Sequence, residues 1–327
     1  MTSVSIVVPC YNEQDTIQLL LEAIFAQSFP HDEMEVIIAD GLSKDQTRPR
    51  IEEFARAHPE LKVHIVDNPK VTIPAALNRA ISAAQGEIIV RLDAHSMPDS
   101  EYVARCVAGL EQGLGDSVGG VWEIQPRNAS WQARAIALAA AHPLGVGDAH
   151  YRISRKAQLV DTVPFGAFRR SLVERVGLYN EDLLTNEDYE FNARVREAGG
   201  RIWLDSMIRS VYFARPTLKE LARQYWRYGY WKARMLRRYP KTLRWRQALH
   251  PEFIVSLLVL AIMAIWQSFA GWLFMLESSI YVLVLLLAGI RLAWERRDPA
   301  LVASLPLAIA TMHFSWGSAF LWSLISG

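Results

Sequence analysis

The sequence predicts an α/β fold, in which an open and mostly parallel sheet carries helices on its faces and an apolar C-terminal region follows. Three observations lead to this prediction. Short β-branched runs alternate with segments of helical periodicity over residues 4–92. A polar cluster directly follows each of these runs. Beyond Pro251 the chain is predominantly apolar, which is typical of membrane spans.

Four apolar runs predict the parallel strands. In chain order they are residues 4–9, 36–39, 63–66 and 88–92. The apolar positions from Ile17 to Ile24 recur at helical spacing, and residues 75–84 form a further helical segment that ends before Gly86. Strands that alternate with helices in this way are expected to pair in parallel through right-handed crossovers. Residues 100–210 have a mixed pattern.

The polar clusters predict a nucleotide site at one edge of this sheet. Ligands of open α/β sheets bind beyond the carboxyl ends of the strands. The clusters fall at those ends: Asn12-Glu13, Asp40, Asp67-Asn68 and Asp93 to His95. No GxGxxG motif follows the first strand and no GxxxxGK[ST] motif occurs, which disfavours dinucleotide enzymes and P-loop ATPases.

Net charge and cysteine content exclude few partners or compartments. The formal net charge of the 327-residue chain is +1, so composition predicts no nucleic-acid partner. Two distant cysteines, Cys10 and Cys106, fit a reducing compartment without requiring one. The N-terminus has no basic segment before its apolar run, so it is interpreted as a strand and not as a signal peptide. We therefore expect the front of the chain in the cytosol.

The C-terminal third predicts a membrane anchor. Residues 224–232 interleave basic and aromatic side chains, which favours a position at a lipid interface, with a solvated helix packed on the domain as the alternative. Three spans are expected, at about residues 252–268, 271–290 and 301–324, with two spans as the alternative. Glu277 within the second span needs a partner or an interfacial position. Arginines follow the second span and not the first, which places the N-terminus inside and, with three spans, the C-terminus outside.

Six motifs in order resemble family 2 glycosyltransferases with the GT-A fold. They are VSIVVPCYNE, ADGLSKDQT, PAALNRAI, GEIIVRLDAH, FGAFRR and NEDYEFNARVREAGGRI, and they extend over about residues 3–205. Each motif alone is weak, but their ordered sum is specific. The basic aromatic segment and the apolar tail extend the resemblance to the membrane-bound succinoglycan-type glucosyltransferase group.

The resemblance implies that the ends of the first two strands hold the donor nucleoside, because carboxylates accept from base N–H groups and ribose hydroxyls. The residues implied are Pro9, Tyr11, Glu13 and Asp40. An acid such as Glu13 near a helix start, or Asp40 in a turn, is also favoured without any ligand. The double Asp common in the family is Asp40-Gly41 here, so Gly41 contributes no carboxylate.

Asp93-Ala94-His95 occupies the position of the family's DxD motif. In an extended chain residues 93 and 95 point to the same side, where one reaches the ribose and the other a divalent cation that bridges the diphosphate. We expect Asp93 and His95 to hold Mn²⁺ or Mg²⁺. Imidazole is a poorer ligand for Mg²⁺ than for Mn²⁺. A plain loop histidine is the alternative for His95.

The remaining implied residues lie later in the chain. The resemblance makes Asp188 of the Glu187-Asp188 pair the general base, with Thr185 as the expected helix cap and the helix dipole keeping Asp188 ionised. Gly166 resembles the turn that backs the donor sugar. Gln224 and Arg227 resemble the QxxRW motif with Tyr228 in place of Trp. The further substrate-binding residues implied are Asn78 and Glu187.

Together these features predict three regions: a cytosolic GT-A domain at 1–212, a basic aromatic interfacial region at 213–250 and a multi-pass membrane anchor at 251–327. The expected reaction is an inverting transfer from a nucleotide-sugar, with UDP the expected nucleotide, to a polyprenyl-diphosphate-linked sugar in polysaccharide assembly. Transfer to a polyprenyl phosphate itself, a processive synthase and a non-catalytic membrane scaffold remain alternatives.

Overall fold

The computed structural model describes residues 3–326, and within them the chain forms two compact units. The first comprises Met1–Glu123 and His150–Tyr212, and the second Ile124–Ala149 and Phe213–Gly327. The three regions expected from the sequence, at 1–212, 213–250 and 251–327, stay a prediction. The segment Ile124–Ala149, which we expected within the first domain, belongs to the second unit.

Nine strands are found among the described residues. They are β1 (Val4–Cys10), β2 (Met34–Asp40), β3 (Lys62–Asp67), β4 (Ile88–Arg91), β5 (Met97–Pro98), β6 (Ser117–Pro126), β7 (Gln158–Leu159), β8 (Ala167–Arg169) and β9 (Ile202–Ala214). The first four match the four strands that the apolar runs predict.

The helices are numbered along the chain, and four of the six helices described in the second unit follow the last strand. Those of the first unit are α1 (Ile17–Phe25), α2 (Thr47–Ala57), α3 (Ile73–Ala83), α4 (Tyr102–Glu111), α7 (His150–Ile153), α8 (Arg170–Val176) and α9 (Glu187–Glu197). Those of the second unit are α5 (Trp131–Ala140), α6 (Pro143–Val146), α10 (Leu218–Arg238), α11 (Trp245–Met263), α12 (Ser268–Arg296) and α13 (Leu301–Ser326). Short 3₁₀ turns cover His31–Glu33 and Pro240–Thr242.

The sheet is parallel at one end and antiparallel at the other. Its strand order is β3-β2-β1-β4-β8-β6-β9-β5, with β7 paired to β9. The pairs β3–β2, β2–β1 and β1–β4 are parallel, while β8 is antiparallel to β4. The predicted open, mostly parallel arrangement is therefore confirmed for the first four strands. The antiparallel strands were not predicted, because several of them have only two or three residues.

Both faces of the sheet are covered by helices, and alternate residues of β1 serve the two cores. Ile6 and Val8 pack with residues of α1 and α4, whereas Val7 packs with residues of α3 and α9. A strand buried on both faces has no polar side to alternate with, which is why its sequence is continuously apolar. This burial leaves the carboxyl ends of the strands as the place where polar side chains gather.

In the second unit, α13 is the helix against which the others pack. Where the neighbouring helices approach it, glycines permit the contact. A Cβ atom at Gly229 of α10 would lie 2.1 Å from the Trp316 carbonyl oxygen, and one at Gly289 of α12 would lie 2.8 Å from that of Val302. Small residues let helix backbones approach this closely. The packing of α13 therefore depends on the absence of side chains at these positions.

Two helices of the second unit, α11 (Trp245–Met263) and α12 (Ser268–Arg296), are long and apolar enough to cross a membrane. Their apolar side chains are largely exposed, with Trp272 75 % accessible. The expected third span does form the helix α13, but this helix is not among the two that meet both criteria in the described chain, and much of it is buried. Glu277 has the partner that its position requires, since Ser256 donates a hydrogen bond to it over 2.8 Å.

We predict that Gly229→Ala destabilises the second unit. The added methyl group must displace the backbone of α13, and overpacking of this kind costs about 1–3 kcal/mol. That cost exceeds the gain of about 1 kcal/mol that alanine brings to a helix interior. Thermal unfolding of the full chain in detergent measures the difference.

Gly271→Ala is the matched control, because a Cβ atom there meets only the Ala264 Cβ at 3.7 Å. It should leave stability unchanged or raise it slightly. If the two variants unfold at the same temperature, the close approach of α10 and α13 is not required.

Candidate active site

The carboxyl ends of the first three strands lie level in the sheet. Cys10 of β1 pairs in register with Asp40 of β2, and Asp40 with Asp67 of β3. Polar groups that follow the strands in sequence are thereby brought to one edge, as the sequence predicts. Pro9, one residue earlier, is buried within β1 opposite Ala39.

Asp40 organises the loop that follows β2. Its side chain is fully buried, and it accepts hydrogen bonds from the Ser43 hydroxyl at 2.5 Å and the Ser43 amide at 3.0 Å. Arg48 donates to Asp40 through Nε at 2.5 Å and also binds Asp67. In this conformation the Asp40 carboxylate is engaged by protein donors. The predicted contact with a nucleoside would require one of those donors to give way.

Tyr11 lies on the open side of the same loops, with 46 % of its surface accessible. Its ring packs over Gly41, where a Cβ atom would stand 3.0 Å from Tyr11 Cδ2 and 3.2 Å from Val71 Cγ1. Glycine in place of the family's second aspartate therefore makes room for two side chains. The exposed ring of Tyr11 is available to stack on a flat ligand group.

Glu13 and His95 meet across the edge. Glu13 Oε1 lies 3.0 Å from His95 Nδ1, and Glu13 Oε2 accepts from the Thr16 hydroxyl at 2.6 Å. About a quarter of the Glu13 side chain and a third of the His95 side chain is accessible. The structure thus brings together two predicted site residues that are separated by 82 positions.

Asp93 does not share a side of an extended strand with His95. The chain turns directly after β4, with the Ser96 amide donating to the Asp93 carbonyl at 2.9 Å. As a result Asp93 faces Arg91, at 3.1 Å, while His95 faces Glu13. The expectation that Asp93 and His95 point to the same side of an extended chain was wrong, because strand β4 ends at Arg91.

The side chains on this turn can hold a cation only if a bound substrate and water supply its other ligands. Within residues 3–326 no group of three or more His, Cys, Asp or Glu side chains is arranged to hold a metal ion. Asp93 and His95 stand on one turn, and the second oxygen of Asp93 accepts no hydrogen bond from the described chain. Mg²⁺ and similar ions commonly take one or two protein ligands and fill their remaining positions with phosphate oxygens and water.

Arg91 is the centre of the site and was not predicted. Its guanidinium, 3 % exposed, binds Asp188 through Nη1 and approaches Glu187 at 3.0 Å and Asp93 at 3.1 Å through Nη2. The start of α9 is thereby joined to the end of β4. A charged residue in an otherwise apolar buried strand was the signal in the sequence, since a buried charge has to be paired.

One oxygen of Asp188 remains open. Oδ1 is bound by Arg91, Oδ2 accepts no hydrogen bond from the described residues, and 21 % of the side chain is accessible. Burial raises the pKa of Asp188 to about 7, aided by the negative charges of Glu187 and Asp93 and opposed by Arg91. The expected lowering by the helix dipole is outweighed, because desolvation is the larger effect. A base whose pKa lies near neutral pH is well matched to proton transfer.

The loops around this edge are held in unfavourable backbone conformations. Of six non-glycine residues with positive φ in the described chain, five lie here: Asn12, Leu42, Val71, Phe165 and Asn186. Asn186, and not the expected Thr185, is the N-cap of α9. Phe165 precedes Gly166, where a Cβ atom would lie 2.8 Å from the Ser117 hydroxyl. Such conformations persist only where the surroundings enforce them, and they concentrate at functional sites.

Three further predicted residues, Asn78, Gln224 and Arg227, lie on helices. The Asn78 amide is used at both ends by the backbone of Tyr179, at 2.9 Å each, so it ties α3 to the loop before α9. Gln224 and Arg227 lie on α10 in the second unit, where Gln224 donates to the Tyr228 hydroxyl at 3.0 Å. The roles of Gln224 and Arg227 in substrate binding remain predictions.

Comparisons with known proteins agree with this geometry. Residues 5–177 match the profile of the family described as Glycosyl transferase family 2. Succinoglycan biosynthesis protein ExoA of Rhizobium meliloti (strain 1021) is 31 % identical over 323 residues, which cover 98 % of this chain and 94 % of that protein. A dolichyl N-acetyl-alpha-D-glucosaminyl phosphate 3-beta-D-2,3-diacetamido-2,3-dideoxy-beta-D-glucuronosyltransferase of Methanococcus voltae is 26 % identical, over 100 % and 98 %.

Among solved structures, the mannosyltransferase PcManGT from Pyrobaculum calidifontis in complex with GDP-Man and Mn²⁺ superimposes with a TM-score of 0.60. It is 21 % identical in sequence, and the match covers 94 % of this chain and 86 % of that one. At this identity the likeness concerns the fold, and it confirms the predicted GT-A architecture.

We predict that Arg91→Met destabilises the first unit by about 3–5 kcal/mol, the usual cost of removing one partner from a buried charge cluster. Three carboxylates would be left without their common cation. Denaturant unfolding of the full chain in detergent measures the loss. Adding Glu187→Gln to Arg91→Met should restore part of the lost stability, because it removes one of the uncompensated negative charges.

The control is Arg169→Gln, which breaks a surface pair with Glu87 and should cost less than about 1 kcal/mol. Equal stability of Arg91→Met and Arg169→Gln would contradict the central role of Arg91.

Proposed function

The chain belongs to glycosyltransferase family 2, and from that premise we propose that it moves a sugar from a nucleoside-diphospho-sugar to a lipid-linked saccharide, with inversion at the anomeric carbon. The observation that carries this proposal is the position and hydrogen bonding of the Asp188 carboxylate. Arg91 fixes one of its oxygens, the other is unengaged, and the carboxylate lies beside Asp93 at the ligand-binding edge of the sheet. A carboxylate held in this way is oriented to accept a proton.

The proposed reaction is a single displacement. The acceptor hydroxyl oxygen attacks the anomeric carbon of the donor while its proton passes to Oδ2 of Asp188. A C–O bond forms to the acceptor, and the bond from the anomeric carbon to the diphosphate oxygen breaks. The nucleoside diphosphate leaves with the electron pair of that bond. One displacement with one base inverts the configuration. Arg91 holds Asp188 in place throughout, since its other two contacts fix it to Glu187 and Asp93.

The donor nucleoside is proposed to lie over the ends of β1 and β2. The exposed ring of Tyr11 supports this assignment, as does the polar pair Glu13–His95 beside it. Asp40 and Pro9 shape the floor of the loop, and Gly166 is proposed to back the donor sugar. Uridine is the expected base. The solved mannosyltransferase with GDP-Man makes guanosine the alternative to test.

A divalent cation, when bound, supplies positive charge to the departing diphosphate. We propose that Asp93 and His95 hold it, each through a group that lies at the open edge of the sheet. The mannosyltransferase neighbour was solved with Mn²⁺, which supports a cation in this fold. An imidazole in the ligand set favours Mn²⁺ over Mg²⁺.

The acceptor is proposed to be a polyprenyl-diphosphate-linked sugar in polysaccharide assembly. The names of the two relatives, one in succinoglycan biosynthesis and one acting on a dolichyl-linked sugar phosphate, support a lipid-linked acceptor. The two exposed apolar helices α11 and α12 support attachment to a membrane. Arg296 is the last residue of α12 and Arg297 follows it, so two spans place both the arginines and the first unit on the cytosolic side.

Inverted membrane vesicles from cells that express the chain test the proposal. They are given a panel of radiolabelled UDP- and GDP-sugars with a lipid extract, and transfer is scored as label entering the organic phase. We expect one donor to label a polyprenyl-linked product, chelator to abolish transfer, and Mn²⁺ to restore it better than Mg²⁺.

Sealed right-side-out vesicles are the control and should show no transfer, since nucleotide-sugars do not cross the bilayer. A labelled product with a single phosphate and a single sugar would identify polyprenyl phosphate as the acceptor instead. No transfer from any donor would favour a non-catalytic scaffold.

Asp188→Asn should bind the donor nucleotide nearly as wild type does yet lose at least about two orders of magnitude in kcat, the usual effect of removing a general base. Glu187→Gln should lose less, because Glu187 supports Arg91 and does not take the proton. With a pKa of about 7, Asp188 is an active base above neutral pH, so wild-type kcat should fall as pH drops through 7. Retention of most of the turnover by Asp188→Asn would place the base elsewhere.

A further inference from the structure

We propose that a cavity lined by Arg169, Arg175 and Arg201 binds the phosphate group of a small phosphate ester. The cavity has a volume of about 270 Å³, and Asp116 and Ser171 also line it. We call it the arginine cavity. Its lining residues all belong to the first unit, and none of them was predicted as a site residue from the sequence. The inference goes beyond the proposed sugar transfer and does not depend on it.

The arginine cavity lies at the opposite end of β4 from the candidate active site. Arg169, the last residue of β8, pairs with Ile88, the first residue of β4. Arg91, the last residue of β4, holds Asp188 at the other end. A strand rises about 3.3 Å per residue, so roughly 10 Å of strand separates the two ends. A phosphate in the arginine cavity is therefore distinct from the diphosphate of the donor.

Contacts within the protein position two of the three arginines. Asp116 Oδ1 accepts from Arg175 Nη2 at 2.6 Å, and Asp116 Oδ2 accepts from the Arg201 amide at 2.9 Å. Arg201 Nη2 donates to the Gly113 carbonyl at 2.7 Å. Helix α8 and the loops before β6 and β9 are thereby joined around one cavity. Groups that are already positioned lose less entropy when a ligand binds.

The contacts within the protein use only one nitrogen of each guanidinium. Arg169 binds Glu87 through Nη1. Arg175 binds Asp116 through Nη2, and Arg201 binds a backbone carbonyl through Nη2. The other side-chain nitrogens of these arginines donate to no acceptor within residues 3–326. The side chains of Arg169 and Arg175 are 41 % and 46 % accessible and Arg201 is exposed, so a ligand can reach the remaining N–H groups without breaking any contact.

The charge of the arginine cavity favours an anion. Among the described residues that line it, three carry a guanidinium and one, Asp116, carries a carboxylate. Glu87, the partner of Arg169, lies outside the lining, and its side chain is 71 % accessible, so solvent screens its charge. The guanidinium groups repel one another, and an anion placed among them offsets that repulsion.

The shape of the arginine cavity favours a phosphate ester. Arginine binds phosphate and carboxylate through its planar fork of N–H groups. Three forks from separate segments can reach different oxygens of a tetrahedral phosphate, whereas a carboxylate offers only two oxygens in one plane. Ser171 adds an exposed hydroxyl that hydrogen-bonds to none of residues 3–326. The volume lies just below the about 300 Å³ at which small-molecule pockets begin, which leaves room for a sugar-sized group beside the phosphate.

Isothermal titration calorimetry of the full chain, in non-ionic detergent at low ionic strength, tests the site with glucose 6-phosphate, inorganic phosphate and glucose as probes. We expect glucose 6-phosphate to bind, inorganic phosphate to bind more weakly and glucose to give no measurable binding. Arg201→Gln and Arg169→Gln should each weaken the binding of glucose 6-phosphate by about tenfold or more, the value of a lost charged hydrogen bond. Arg201→Lys, which keeps the charge without the fork, should lie between wild type and Arg201→Gln.

Arg209→Gln is the matched control. Arg209 belongs to the same unit, pairs with Glu123 at 3.1 Å and has a side chain that is 49 % accessible, but it does not line the arginine cavity. This variant should bind both phosphate probes as wild type does.

The assignment is wrong if wild type binds neither phosphate probe, or if Arg201→Gln and Arg169→Gln bind glucose 6-phosphate as tightly as wild type. Equal affinity of wild type for inorganic phosphate and for glucose 6-phosphate would overturn the choice of an ester. Sugar transfer in membrane vesicles is measured separately, so failure of the proposed function and failure of this site are told apart.

Discussion

A single buried guanidinium joins the parts of the first unit that have to meet. Arg91 ends a strand whose neighbours on both sides bury it, so its charge is removed from water and must be compensated within the protein. The compensation comes from Asp93 on the following turn and from Glu187 and Asp188 at the start of α9. Because these carboxylates repel one another, they depend on Arg91 as much as it depends on them. The orientation of Asp188, the proposed base, follows from this cluster.

The loops at the same edge of the sheet are held in fixed conformations by contacts within the protein. Arg48 spans the ends of β2 and β3 by binding Asp40 and Asp67, which fixes the two loops in register. Five non-glycine residues with positive φ stand in the surrounding loops. Each such residue costs free energy that the packed sheet has to offset. A site fixed before the ligand arrives loses less entropy on binding, which is the benefit that this strain can bring.

The second unit is stabilised by other means. Its described residues are mainly helical, and its central helix α13 packs through close backbone contacts at Gly229 and Gly289. The helices α11 and α12 leave most of their apolar surface outward. In water such a surface would promote association, whereas in a bilayer it is the normal exterior of a protein. The hydrogen bond between Ser256 and Glu277 satisfies an acid that would otherwise be costly among apolar helices.

Local pattern determined a large part of this protein. The first four strands, the helices between them and the edge where polar residues gather were all evident in the sequence, because a doubly buried strand must be continuously apolar and its polar residues must come after it. The pairing of Glu13 with His95, by contrast, depends on contacts over 82 residues. Three of the antiparallel strands, β5, β7 and β8, are too short to show a period, and the segment Ile124–Ala149 joins a unit that its sequence position does not indicate.

The chemistry of the site was decided by tertiary structure. The sequence placed Asp93 and His95 on one side of an extended chain, but a turn sends them to different partners. It also placed Asp188 at a helix start, where the dipole alone would lower its pKa, yet burial beside Glu187 and Asp93 raises it. Residue type and spacing specify which groups reach the edge of the sheet. The burial of those groups, the charges around them and the distances between them arise only when the chain is folded. They decide which carboxylate oxygen is held by a hydrogen bond, which is unengaged and which can accept a proton.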